Sequence, residues 1–260
     1  MSDQGRFIWY ELMAADMDRA KRFYADVLGW TANAMPNPGG GPPYTIFEAG
    51  GVGVAGGMPL MAEMKARGVP PNWTGYVAVD DCDAAAQKAT QLGGSVRQPP
   101  MDIPGVGRFA IIADPGGAVI AIMKPIPPEG GAPDRPARGA PGHAGWRELM
   151  AGDLARDWPF YEALFGWTKV AEHDMGPMGA YQLFGNQDGE VGGMMTKPAE
   201  MPTATWSYYF EVADINAAAE KVKADGGQVL NGPMEVPDGS WVFQAQDPGG
   251  AHVSFVTTKR

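Results

Sequence analysis

The fold is decided by the stretch WYELMAAD at Trp9–Asp16, because nearly the same letters return as WRELMAGD at Trp146–Asp153. Each copy alternates like a β-strand and ends in an Asp that can cap a helix. An amphipathic segment follows in both copies, and a Gly-Trp pair closes it at residues 29–30 and 166–167. Both copies therefore predict a strand, a turn and a helix in the same order.

The similarity between the two copies continues along almost the whole chain. Equivalent residues lie 137 positions apart at first and 133 positions apart later, where DPGG at Asp114–Gly117 is matched by DPGG at Asp247–Gly250. Such long self-similarity, which includes turn residues, indicates a repeat. We predict two tandem homologous domains at 5–125 and 143–259, joined by a Pro/Gly-rich linker at 126–142.

Composition narrows the functional classes. The chain has 260 residues, 45% of them hydrophobic, and a net charge of -10, which argues against binding to a phosphate backbone. No stretch approaches the roughly 20 apolar residues of a membrane span, and the first residues do not resemble a signal peptide. We therefore expect a cytoplasmic protein that binds neither nucleic acid nor membrane. The single cysteine, Cys82, lies among aspartates that disfavour its thiolate, which predicts an inert thiol.

Each repeat reads as two βαβββ units, with an Asp-(x)6-Phe-Tyr segment in the first unit and an Asp-Pro-x-Gly hairpin in the second. This pattern resembles the vicinal oxygen chelate superfamily, which includes glyoxalase I, the bleomycin-resistance proteins and the extradiol dioxygenases. The resemblance covers Phe7–Met123 and Ala144–Thr257, and the tandem form is similar to two-domain glyoxalase-like proteins. It implies an α+β fold in which each domain is an incomplete eight-stranded barrel around a concave pocket.

The same resemblance locates three metal-ligand positions in each domain. In this chain they hold residues whose side chains lack imidazole or carboxylate groups: Trp9, Thr74 and Ala121 in the first repeat, and Trp146, Ser207 and Ser254 in the second. Divalent metals in such sites need imidazole or carboxylate ligands. Among the three histidines only His252 shares a face with one of these positions, and one histidine does not make a metal site. We predict no metal and no cofactor.

The concave face is predicted to carry the functional residues. Glu11 and Glu148 lie on the first strand of each repeat and face inward with the metal-ligand positions. A carboxylate on an apolar concave surface could act as a general base or bind a cation; alternatively, each Glu meets an Arg or backbone amides and only holds the domains. The predicted ligand-binding residues are Trp9, Met13, Tyr76, Trp146, Met150, Tyr209, Glu211 and His252.

Three functions remain open on these residues. The chain could be a metal-free binding protein that sequesters or senses a small, partly apolar ligand, which the missing metal ligands favour. It could be a glyoxalase-like lyase or isomerase, or a dioxygenase or hydroxylase, with Glu11 or Glu148 as the base and a metal bound by a ligand set that differs from the family pattern. It could also be a stress or interaction protein with vestigial pockets. The fused repeats are compatible with a monomer, and a homodimer remains possible.

Overall fold

The computed structural model describes residues 2–37, 41–127 and 136–258, so part of the predicted linker lies outside the described residues. The described chain forms four modules, each with one strand, one helix and three further strands in that order. Modules 1 and 2 make up the first sequence repeat, and modules 3 and 4 make up the second. This arrangement confirms the two βαβββ units predicted for each repeat.

The first repeat contains eight strands and three helices. They are β1 (Phe7–Ala14), α1 (Met17–Leu28), β2 (Thr31–Met35), β3 (Tyr44–Ala49), β4 (Val52–Pro59), α2 (Ala62–Ala66), β5 (Asn72–Ala78), α3 (Cys82–Gln91), β6 (Ser95–Ile103), β7 (Gly107–Ala113) and β8 (Val119–Pro125).

The second repeat contains eight strands, two α-helices and a 3-10 turn at Gly176–Met178. They are β9 (Ala144–Ala151), α4 (Leu154–Phe165), β10 (Thr168–Asp174), β11 (Ala180–Asn186), β12 (Gly189–Thr196), β13 (Thr205–Glu211), α5 (Ile215–Ala224), β14 (Gln228–Glu235), β15 (Trp241–Gln246) and β16 (His252–Thr257).

The first helix of each repeat begins and ends at the residues that the sequence indicates. Asp16 accepts hydrogen bonds from the amides of Asp18 and Arg19, and Gly29 closes α1 with a φ of 70°. Asp153 caps α4 by accepting from the Arg156 amide. A left-handed C-cap favours glycine because a Cβ would strain the backbone there.

Each repeat forms one open, mixed eight-stranded sheet. The strand order is β2-β3-β4-β1-β5-β8-β7-β6 in the first repeat and β10-β11-β12-β9-β13-β16-β15-β14 in the second. The first strand of each module pairs in parallel with the last strand of its module, for example β1 with β4 and β13 with β16. The predicted α+β class, with two eight-stranded domains, is confirmed.

The compact units of the structure differ from the sequence repeats. One unit comprises Met1–Ile8, Thr74–Ala132 and Arg147–Trp206, and the other comprises Trp9–Trp73, Pro133–Trp146 and Ser207–Arg260. The first unit thus contains most of modules 2 and 3, and the second contains most of modules 1 and 4. The bounds 5–125 and 143–259 describe the sequence repeats, and as domain boundaries they stay a prediction.

A buried hydrogen-bonded chain ties module 1 to module 4. The Trp73 indole N–H donates to the Tyr24 hydroxyl over 2.8 Å, and that hydroxyl donates to Asp247 Oδ2 over 3.1 Å. Tyr24 and Asp247 belong to different sequence repeats. The Phe-Tyr pair of the first helix and the Asp of the DPGG hairpin are therefore parts of one buried contact, beyond their local roles in helix and turn.

The unit that contains modules 2 and 3 has the equivalent chain. The Trp206 indole N–H donates to the Tyr161 hydroxyl over 3.1 Å, and Tyr161 donates to Asp114 Oδ2 over 2.8 Å. Burial raises the pKa of Asp114 above its ordinary value, while the hydrogen bond from Tyr161 lowers it. Trp206 is buried here, as Trp73 is in module 1.

The tryptophans that follow the helix-ending glycines are core residues, as the sequence predicts. Trp30 and Trp167 are both buried, and their indole N–H groups donate to the carbonyls of Gly142 and Gly5. Among the described residues, no helix is both long and apolar enough to cross a membrane.

Candidate functional site

Glu11 lies half-buried on β1 and is hydrogen-bonded to a tyrosine two strands away. The Tyr44 hydroxyl donates to Glu11 Oε2 over 3.0 Å, and the Trp9 indole N–H donates to the Tyr44 hydroxyl over 2.9 Å. Between them, on β4, Gly56 is the register partner of Glu11. A Cβ at Gly56 would overlap the Tyr44 phenol, so this glycine lets the ring cross the strand.

The second repeat builds the same pair from equivalent residues. The Tyr181 hydroxyl on β11 donates to Glu148 Oε1 on β9 over 2.9 Å. Gly193 on β12 is the register partner of Glu148, and a Cβ there would overlap the Tyr181 ring. The Glu, the Tyr and the Gly are all displaced by 137 residues from their first-repeat equivalents. The Glu–Tyr pair is therefore a property of the repeat.

Each of these glutamates accepts a hydrogen bond from a phenol. The alternatives predicted from the sequence, a general base or cation-binding group and a packing contact with an arginine or backbone amides, did not include this tyrosine. Burial, reinforced by the Glu11 charge, raises the pKa of Tyr44 far above its ordinary value, so its hydroxyl stays a donor at neutral pH. Tyr44 and Tyr181 were not among the site residues predicted from the sequence. They lie 137 positions apart, as Glu11 and Glu148 do, and this shared offset could have identified them as a repeated feature.

A polar wall lies on β13, β15 and β16 of module 4. Tyr209 and Glu211 share one face of β13 by alternation, and Ser254 is the register partner of both Tyr209 and Gln244. The Gln244 side-chain amide donates to the Tyr209 hydroxyl over 2.7 Å. Its Oε1 is buried and has no hydrogen-bond partner in the described part of the chain. We call these four residues, Tyr209, Glu211, Gln244 and Ser254, the polar wall.

Glu211 is the carboxylate of this wall and is only 6% exposed. Its side chain packs against Gly145 at the start of β9, where an added Cβ would overlap the carboxyl group. Burial raises the pKa of Glu211 to about 7, while the charge of Arg138 lowers it. Near neutral pH this carboxyl can therefore either donate or accept a hydrogen bond.

The equivalent surface in module 2 is apolar. Ala78, Ile111 and Ala121 occupy the positions of Glu211, Gln244 and Ser254, as the offset of 133 and the shared strand registers show. Tyr76, the equivalent of Tyr209, is buried and its ring lies 6.1 Å from that of Phe109. The two repeats thus share the Glu–Tyr pair but differ in this wall.

The remaining predicted ligand-binding residues occupy varied environments. Met13 and Met150 are half-buried in register with Met58 and Met195, and Trp146 is also half-buried. His252 is exposed at the start of β16, where its Nε2 lies 3.0 Å from Gln246 Nε2. Their role in ligand binding, like that of the residues above, stays a prediction.

The metal-ligand positions implied by the family pattern do not fit a divalent metal. In the first repeat the Trp9 indole donates its N–H to Tyr44, and Thr74 and Ala121 supply no imidazole or carboxylate. In the second repeat the three positions hold an indole and two hydroxyls. Within residues 2–37, 41–127 and 136–258, no three His, Cys, Asp or Glu side chains are grouped as metal ligands would be.

Proteins of similar sequence cover nearly the whole chain. “Putative glyoxylase CFP32” of Mycobacterium tuberculosis is 34% identical over 253 residues, which are 97% of this chain and 95% of that protein. “Anthracycline biosynthesis protein DauV” of Streptomyces sp. strain C5 is 33% identical, with 95% of this chain and 91% of that protein covered.

Solved structures show the same fold at lower sequence identity. The Mn(II)-bound glyoxalase from Novosphingobium aromaticivorans has a TM-score of 0.62 at 19% identity, covering 100% of this chain and 83% of that one. The 2,3-dioxygenase LapB from Pseudomonas sp. KL28 has a TM-score of 0.64 at 14% identity, covering 98% and 93%.

A family model covers both repeats. The model described as Glyoxalase/Bleomycin resistance protein/Dioxygenase superfamily matches residues 6–122 and 141–255. Because these segments make up most of the chain and relatives above 30% identity span nearly all of it, the chain belongs to the glyoxalase/bleomycin resistance protein/dioxygenase superfamily.

Proposed function

We propose that this protein binds a small molecule without a metal, and that the polar wall of module 4 recognises a hydrogen-bond donor, such as an amine, on a largely apolar ligand. The observation that carries the proposal is the wall itself. It supplies an acceptor, Gln244 Oε1, that no group in the described chain satisfies, and it also carries the titratable carboxyl of Glu211.

The energetics favour a ligand that donates hydrogen bonds. A buried acceptor without a partner costs free energy, so a ligand that satisfies Gln244 Oε1 recovers this cost. A cationic amine also favours the ionised form of Glu211, which burial disfavours in the ligand-free protein. A mostly apolar pocket with a few placed polar groups is the usual composition of a small-molecule site.

The name of one relative suggests a first probe. DauV is named as an anthracycline biosynthesis protein. An anthracycline such as daunorubicin joins a planar aromatic body to an amino sugar, which is cationic at neutral pH. That combination matches the donor-bearing, largely apolar ligand class proposed for this chain. The name itself describes DauV.

The experiment is a daunorubicin titration followed by quenching of tryptophan fluorescence, with and without EDTA. We expect saturable binding that EDTA does not change. Glu211→Gln should weaken it about tenfold, as expected for loss of a hydrogen bond to a charged group. The matched control is Glu200→Gln, which removes the same charge from an exposed residue.

Three results would contradict the proposal. Binding that requires an added divalent metal would contradict a site that works without a metal. Equal affinities for Glu211→Gln and Glu200→Gln would remove the polar wall from the site. Absence of saturable binding would eliminate the proposed ligand class.

A second candidate is an enzyme that transfers protons through the Glu–Tyr pairs, which occur in both repeats. In this alternative Glu11 or Glu148 accepts a proton from a bound substrate and the tyrosine hydroxyl orients the carboxylate. Two single variants, Glu148→Gln and Tyr181→Phe, would test this alternative. Loss of turnover with retained binding supports the enzyme, whereas unchanged turnover in both variants eliminates the second-repeat pair.

A further inference from the structure

A cleft of about 400 Å³ lies in module 3, on the side of the sheet that faces helix α4. It is bounded by the start of α4, by β10 and β11, and by the 3-10 turn at Gly176–Met178. The Glu–Tyr pair of this module is on the opposite face, because Tyr181 and Gln182 are neighbours on β11 and point to opposite sides. The cleft is thus separate from the site proposed above.

The floor of the cleft carries a buried amide with an unused donor. Gln182 is 5% exposed, and its Nε2 is buried with no hydrogen-bond partner in the described part of the chain. Its register partners on the adjacent strands are Glu172 and Met194. Because buried donors are nearly always satisfied, this Nε2 is available to an acceptor from outside the chain.

The start of α4 supplies a second donor to the same cleft. The first amides of a helix have no intrahelical acceptor, and the helix dipole favours negative charge there. Thr196 Oγ1 accepts from the Leu154 amide and Asp153 Oδ1 accepts from the Arg156 amide. Ala155 lies between these two residues and lines the cleft, and neither capping side chain accepts from its amide.

The mouth and walls add a positive charge and apolar surface. Lys169 lines the cleft and pairs with Glu172, but both side chains are largely exposed, so the pair is weak. Its ammonium can therefore turn to an anionic ligand. Trp158 and Met178 supply the apolar walls.

The first repeat differs from the second at three positions of this region. Met17, the equivalent of Leu154, packs so closely on β4 that a Cβ at Gly57 would lie 2.9 Å from its Cε. In the second repeat the buried Met194 replaces Gly57, and Gln182 replaces Thr45. The buried amide donor of Gln182 is therefore a feature of module 3 that the first repeat does not share.

We propose that this cleft binds a small carboxylate with an apolar body. The carboxylate accepts from Gln182 Nε2 and from the Ala155 amide, and Lys169 neutralises its charge. The apolar body packs on Trp158 and Met178.

The test is a titration of the ¹⁵N-labelled full chain with sodium benzoate, followed by amide NMR. Benzoate should shift the Ala155 amide and the Gln182 side-chain amide, and benzyl alcohol, which has the ring without the carboxylate, should bind about tenfold more weakly. Gln182→Met keeps the length and removes the donor, so it should weaken benzoate binding about tenfold. Leu154→Met lengthens a side chain that lines the cleft and should also weaken benzoate binding.

The control variant is Gln228→Met, which makes the same exchange at an exposed residue of β14 and should leave benzoate binding unchanged. Gln182→Met should melt at the same or a higher temperature, because it removes an unsatisfied buried donor. The proposal is overturned if benzoate shifts neither amide. It is also overturned if benzoate binds Gln182→Met, Leu154→Met and the control Gln228→Met with the same affinity. A clear fall in melting temperature for Gln182→Met with unchanged affinity would also overturn it.

Discussion

The raised pKa of Glu211 makes the stability of the protein depend on pH in a definite direction. Its carboxyl has a pKa of about 7 in the folded chain, against 4.5 ordinarily, because it is buried. The folded state therefore holds this proton more tightly than the unfolded state. The free energy of unfolding consequently falls as pH rises from 4.5 through about 7.

The size of the effect follows from that difference. Each pKa unit corresponds to about 1.4 kcal/mol, so full ionisation of Glu211 costs about 3 kcal/mol relative to the protonated form. Glu211→Gln mimics the protonated carboxyl and removes the titration. We expect the variant and the parent protein to be equally stable near pH 4.5, and the variant to be more stable by up to about 3 kcal/mol above pH 8.

Urea denaturation followed by tryptophan fluorescence at several pH values measures this difference. The exposed Glu200→Gln variant is the control, since it changes the same charge without burial. The reasoning would be refuted if the two stability curves of Glu211→Gln and the parent ran parallel across the whole pH range. It would also be refuted if the parent gained stability, relative to the variant, as pH rose.

Three other predictions concern residues outside the polar wall. Tyr161→Phe should lower the free energy of unfolding by about 1–3 kcal/mol, because it removes the phenol that donates to the buried Asp114 Oδ2 and accepts from the Trp206 indole; chemical denaturation measures this, and no change would contradict it. Burial raises the pKa of Cys82 to about 11, so a thiol reagent should leave it unmodified at neutral pH until urea unfolds the chain, and rapid native labelling would be the contrary result. Gly193→Ala should displace the Tyr181 ring and lower the melting temperature, whereas Gly53→Ala, whose added Cβ meets its neighbours at 3.5 Å or more, should change it little.

The fold was predictable from the sequence because its determinants are local. Asp16 and Gly29 mark the ends of a helix by capping chemistry alone, and the repeated DPGG turn marks a hairpin. The pairing of Tyr24 with Asp247 was not predictable in this way. The two residues lie 223 positions apart, and nothing in either local pattern names the other as its partner.

The candidate site was predictable only in part. Strand alternation predicts that Glu11 lies on the concave face, but it could not identify Tyr44, because the Tyr44 ring reaches Glu11 by crossing a glycine on the intervening strand. The cleft beneath α4 was missed for a similar reason. Its candidate donor, the buried Nε2 of Gln182, is identified by the lack of a hydrogen-bond partner in the described residues, which no periodicity reveals.

The buried Trp–Tyr–Asp chains also have a consequence for how the protein folds during synthesis. Modules 2 and 3 follow one another in the polypeptide. The hydrogen bond from Tyr161 to Asp114 can therefore form as soon as module 3 has left the ribosome. Module 1 is made before modules 2 and 3, yet its partner Asp247 is made after them. Module 1 must therefore wait longer for its buried contact than module 2 does, and a chaperone would matter more for it.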